Sequence, residues 1–158
     1  MKILATTISL LAVLLVLGTS PPVYATHSTP FNGHMSGNSI AVSEISNNIT
    51  ATVYLDHLGK SHLVGTTTVT GRNECGGFVG TEKDTITAAN GDEIHLLGSG
   101  TSCPKSPTIF QDTVTFTITS GNGRFADARG SGTIHTTIII TSLTTAMFNA
   151  TINGQLTS

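Results

Sequence analysis

The sequence predicts an all-β protein, a single antiparallel eight-stranded β-barrel, on three observations. Apolar residues recur at every second position through several segments, the pattern of strands with one face on a core. The joints between those segments are short and rich in Gly, Asn and Ser. No amphipathic helix is present to carry the crossover that parallel strands require, so the pairing is antiparallel. Eight such strands close into a barrel whose interior is filled by side chains or holds one small ligand. A two-sheet sandwich satisfies the same alternation and is the alternative.

In chain order, Met1-Lys2, the apolar run Ile3 to Gly18 and the small residues before Ala25 have the three parts of a secretory signal peptide. The run is shorter than the roughly 20 residues of a membrane span. Residues 1–25 are therefore read as a leader and 26–158 as one secreted, extracellular domain. Thr26 to Pro30 reads as a loose polar leader to the fold, and Phe31 to Ile45 as the least regular strand, interrupted by Gly33 and Gly37. Ile49, Ala51, Val53 and Leu55 alternate with polar partners, and His62 to Thr70 returns across a turn at Leu58-Gly59-Lys60. Phe78 to Ala88 and Glu93 to Gly98 form a hairpin whose Asn90-Gly91 reads as a two-residue turn. Gly71 to Gly77 and Gly98 to Pro107 read as loops, the second closed to pairing by its prolines. Strands from Ile109, to Thr141, and from about Thr145 to Leu156 complete the set.

Cys75 and Cys103 are the two cysteines, and in an oxidising compartment they pair most simply as one disulfide. Closing a loop of about 29 residues contributes roughly 3.5 kcal/mol by chain entropy. Once Lys2 leaves with the leader, six basic residues stand against nine acidic ones, a poor surface for nucleic acid or anionic membranes.

The most strongly patterned strands flank Ser120-Gly121-Asn122-Gly123-Arg124-Phe125-Ala126-Asp127-Ala128-Arg129-Gly130. Gly121 and Gly123 supply freedom for a reversal, Phe125 and Ala128 share one side of a helical turn, and Gly130 releases the chain. This segment resembles the Gly-Gly-Thr-Gly-[Arg/Lys]-Phe-x-x-Ala-x-Gly signature of the allene oxide cyclase-like and dirigent-like β-barrels. Ala88-Ala89-Asn90-Gly91-Asp92-Glu93 and Gly154-Gln155-Leu156-Thr157 resemble segments of uncharacterised secreted relatives. The resemblance spans roughly Phe31 to Ser158 and departs from the signature at Ser120-Gly121-Asn122. It implies the barrel over the sandwich. It leaves the role open, because such barrels include cyclases, stereochemistry-directing binders and others.

Gly121-Asn122-Gly123-Arg124-Phe125-Ala126 has the letters of a dinucleotide fingerprint, but a strand follows where that mechanism needs a helix, and no cofactor is expected. His57 and His62 flank a hairpin tip beside Asp56, a weak metal candidate weighed against ordinary solvated turn residues. No nucleophile elbow is present, and nine scattered acids do not single out a glycosidase pair. Asp112 is the only catalytic candidate. Its parity matches Phe110, Val114 and Phe116 and points it inward, whereas a strand beginning after it would leave it in water at the rim. Arg124, Asp127 and Arg129 are expected to pair locally and lock the barrel end. Asn48 and Asn149 head N-glycosylation acceptors.

Three roles follow: a secreted barrel that binds a small apolar ligand or another surface without catalysis, an isomerase or cyclase for an apolar substrate, and a structural extracellular protein. N-terminal sequencing of the exported protein should begin Thr26-His27-Ser28; an intact Met1 in a membrane fraction would make the leader an anchor instead.

Overall fold

The computed structural model describes residues 28–157, so the leader and its cleavage point lie outside it. Nine strands follow one another: β1 (Ser28–Pro30), β2 (Gly33–Ala41), β3 (Ser46–Leu55), β4 (Gly59–Arg72), β5 (Phe78–Ala88), β6 (Glu93–Pro104), β7 (Ile109–Gly121), β8 (Arg129–Ile140) and β9 (Thr145–Thr157). Each of β2 to β9 pairs antiparallel with its neighbour in sequence. Because β9 pairs with both β8 and β2, the eight strands close into a barrel. Extra residues at Thr70 and Thr119 shift the register of the β4–β5 and β6–β7 ladders, the bulges by which a sheet is curved into closure.

Three sequence expectations are corrected. Ser28–Pro30 is not a loose leader but the short strand β1, paired with Gln155–Thr157 of β9. Phe31 explains it: the ring is fully buried, 5.9 Å from that of Phe116, and fixes the chain on either side. The break after β1 is bonded through, as the Phe31 N–H donates to Gly154 O (2.9 Å) and the Gly154 N–H to Asn32 Oδ1 (3.1 Å). Gly98 to Pro107 is not a loop through most of its length. Strand β6 runs to Pro104, which is tolerated as the terminal residue of a strand, and pairs Cys103 with Gln111. Asn90-Gly91 is not a two-residue turn either. Ala88 and Asp92 close a three-residue loop in which Gly91 has φ 88°.

The two ends of the barrel are built differently. Segments 56–58, 89–92 and 122–128 gather at one end, over a floor of Phe31, Leu55, Leu63, Ile86, Ile94 and Ile118, all buried. A 3-10 turn, Gly123–Phe125, inserts Phe125 there, and Ala128 is fully buried beside it. The turn is fastened to the β5–β6 loop. Asn122 Oδ1 accepts from the Glu93 N–H (2.7 Å), its Nδ2 donates to Glu93 Oε2 (3.0 Å), and Arg124 Nε lies 3.3 Å from Asp92 Oδ2. The Ala88–Glu93 segment and the Gly-rich segment, widely separated in the chain, thus form one seal. Arg129 donates to Ala128 O (2.7 Å). Gly130 faces β9, where a Cβ would lie 3.0 Å from Ile118 Cδ1 and overlap Gln155 O.

Segments 42–45, 73–77, 105–108 and 141–144 lie at the opposite end. Cys75 and Cys103 form their disulfide here, with Cα atoms 5.7 Å apart, tying the β4–β5 loop to the end of β6. Asn73 braces the same loop by accepting from the Gly77 N–H (2.8 Å) and donating to Phe78 O (3.0 Å) and Ser102 O (3.1 Å).

Gly123 has φ 55°, and a Cβ on it would overlap the Asp92 carboxylate. Both the backbone region and the space therefore demand glycine. Gly123→Val should destabilise the barrel by more than about 1 kcal/mol in chemical denaturation. An unchanged midpoint would show that the turn does not hold the seal.

Candidate functional site

Opposite the seal, a cavity of about 760 Å³ opens beside Glu44, Thr108 and the 141–144 loop. Its volume falls in the range of small-molecule sites. Apolar side chains form much of the wall, among them Met35, Ile49, Val114, Ile138 and Phe148. Phe78 and Phe110 stack at the mouth with ring centroids 6.4 Å apart. Leu143, fully exposed, stands on the loop above the opening.

Three carboxyl groups project into this space: Glu82 and Asp84 from β5, and Asp112 from β7. β7 begins at Ile109 and carries Asp112 in register between Ser102 and Thr136, which overturns the placement of that residue in open water at the rim. The inward parity is the correct one, and the group is half-buried. Glu82 and Asp84 were not singled out by the sequence reading. They occupy the same face of β5 as the buried Ile86 and Ala88, so strand parity alone carries the signal.

Glycines on the flanking strands make room for them. Asp84 is in register with Gly65 of β4 and Glu82 with Gly98 of β6. A Cβ at Gly65 would overlap the Asp84 carboxylate, and one at Gly98 would sit 2.7 Å from Glu82 Cγ. Asp84 is only 5% exposed, and its Oδ1 has no hydrogen-bond partner. The buried Oδ1 of Asp112 likewise has none. Among the described residues lining the cavity there is no Lys, Arg or His.

Carboxylates removed from water without a counter-charge hold their protons more tightly. Burial, then the neighbouring Glu82 charge and a hydrogen bond to Glu82, push Asp84 up to about 8. Burial, then the Asp112 charge, push Glu82 up to about 7, against a lowering contribution from the hydrogen bond with Asp84. Burial also raises Asp112, against a lowering contribution from Ser102. The site is therefore a proton-bearing acid cluster set in an apolar wall. It can donate hydrogen bonds or protons near neutrality, or take up positive charge.

The other candidates are placed elsewhere. His57 sits at the tip of the β3–β4 hairpin with φ 68°, while His62 is exposed on β4 opposite Thr52 and Thr87. Among the described residues no group of three or more His, Cys, Asp or Glu side chains is arranged to hold a metal ion. Asn48 and Asn149 are both exposed on strands. Among the described residues no helix is long and apolar enough to cross a membrane.

No family model matches the chain, and no curated protein matches it in sequence. Among solved structures it is similar to the pterocarpan synthase dirigent protein GePTS1, with a TM-score of 0.50 and 14% identity. That match covers 92% of this chain and 99% of the other. At such identity the similarity is one of fold, and the fold is dirigent-like.

The sign of the pH dependence follows from the raised values. Near pH 4 and below, Asp84 is protonated in both folded and unfolded chains; between there and about pH 8 the folded chain alone keeps the proton. The stabilising contribution is thus complete at low pH and is lost as pH rises through the folded value, and Glu82 acts with the same sign. The ligand-free protein should melt lower at about pH 8 than at about pH 5. Asp84→Asn should flatten that slope and stabilise the barrel at the higher pH by roughly 1–3 kcal/mol. A melting temperature that climbs steadily across this interval would contradict the assignment.

Proposed function

We propose that the protein is a secreted barrel that binds a small, mainly apolar molecule in its open half. The observation carrying this reading is the cavity itself, apolar-walled and open at one end of a barrel whose other end is sealed. A structural protein gains nothing from leaving that half unfilled, since packed side chains would stabilise it better. Export is supported by the leader-like residues 1–25, by the disulfide and by the exposed Asn48 and Asn149 acceptors.

A second reading is favoured by the acid cluster: an isomerase or cyclase that moves a proton within the same cavity. Glu82, Asp84 and Asp112 would supply the acid or base, because groups that titrate near the working pH transfer protons most effectively. The solved neighbour's name joins a synthase and a dirigent protein in one such barrel, so the fold accommodates either role.

Mass spectrometry of small molecules carried through native purification should recover an apolar compound at one per barrel. Asp112→Asn then separates the roles. A binder should retain that compound with modestly altered affinity, whereas an enzyme should lose about 100-fold or more in turnover. A barrel that purifies empty and takes up no apolar compound from a broad mixture would leave the structural role standing.

A further inference from the structure

We propose that the molecule bound in the open half carries a protonated amine on an apolar body, with the ammonium seated against Asp84 and its neighbour Glu82. The inference rests on the ligand-binding reading and adds the chemistry of the head group. Its starting point is an unfilled demand: Asp84 is almost wholly buried, lines the cavity, and has an oxygen without any donor. Asp112 has another such oxygen. Buried acceptors are ordinarily satisfied, and each one left unmade costs free energy.

The chain supplies no cation of its own among the described residues that line the cavity. β4 and β6, which flank β5, present Gly65, Thr67, Leu96 and Gly98 toward the acids. The titratable group against Asp84 is Glu82 on its own strand; Asp112 on β7 acts on Glu82, and Glu44 also lines the cavity. All are acids. An anionic ligand would therefore meet like charge at the mouth and again within. A neutral hydroxyl can donate one hydrogen bond and leaves the charges uncompensated. An ammonium donates three and neutralises them, and charge-assisted bonds of this kind are the stronger ones. The apolar wall accounts for the rest of the molecule.

Binding a cation must release protons, because the cation favours the ionised carboxyls that burial disfavours. The probes are a matched fluorescent pair, 2-(1-naphthyl)ethylamine and 2-(1-naphthyl)ethanol, titrated into the full chain. At about pH 8 the amine should bind roughly tenfold or more tightly than the alcohol, and the preference should shrink toward about pH 5. Calorimetry near neutrality in two buffers of different ionisation enthalpy should show net proton release with the amine and none with the alcohol. Asp84→Asn should lower the amine's affinity far more than the alcohol's and so abolish most of the preference, and Glu82→Gln serves if that variant does not fold. Equal affinities, or a preference for the alcohol, would overturn the head-group assignment and leave the apolar-ligand reading intact. Failure of both probes to bind a folded barrel would sink both.

Discussion

A sheet that closes on itself has an interior, and every second residue of every strand must live in it. In this chain closure is made by β9, which pairs with β8 along one edge and with β2 along the other. Once closed, inward side chains have no bulk solvent to turn to except through an open end, and the strands' own N–H and C=O groups are occupied by the ladders. Whatever is placed inside must be apolar, paired or neutral. Ile86 and Ala88 meet that rule by packing, whereas Glu82 and Asp84, on the same face of β5, meet it by holding protons.

The two ends divide the work. At the sealed end Phe31 and Phe125 enter from outside the strand ladders and bury against the barrel floor, and the Asn122 and Arg124 contacts hold the cover in place. That apolar half supplies the burial on which a chain of this size depends. The open half contributes less packing and carries unsatisfied carboxyl oxygens, so its shape is kept by covalent and polar bracing. The disulfide and the Asn73 bonds fix the loop beside the mouth. Stability concentrated at one end permits an energetically unfavourable arrangement at the other, as is common where function needs a strained or under-packed region.

Much of this was legible in the residues. Period-two alternation located most of the barrel strands and gave the inward one of two readings of Asp112, and the Gly-rich segment marked the seal. Other features were hidden for physical reasons. Gly98 and Gly100 sit in a Gly-, Ser- and Pro-rich stretch that reads as loop, yet these glycines lie within β6, and Gly98 leaves space for Glu82. Their role depends on which residue lies across the ladder, and that register passes through the bulges at Thr70 and Thr119, which alternation alone does not reveal. Glu82 and Asp84 were more accessible, since parity with Ile86 places both inside. What conceals them is that acids on an otherwise regular strand are ordinarily assigned to its wet face. The β1 strand escaped because Ser28, Thr29 and Pro30 carry no alternation; Phe31, just after them, holds them down.

The dirigent-like fold accounts for the container and says little about its contents, because a fold does not fix a function. Inside the barrel stands a set of carboxyl groups with no basic partner among the described lining residues. Their protonation is the most direct measure of that arrangement. Carbon-detected NMR titration of the side-chain carboxyls in the ligand-free protein, assigned with Glu82→Gln, Asp84→Asn and Asp112→Asn, reads it group by group. The account predicts that Glu82 and Asp84 titrate as a coupled pair in the neutral range and that Asp112 lies above the ordinary aspartate value. Ordinary titration of all three near pH 4 would contradict it, since these carboxyls would then be hydrated or paired in a way the barrel interior does not provide.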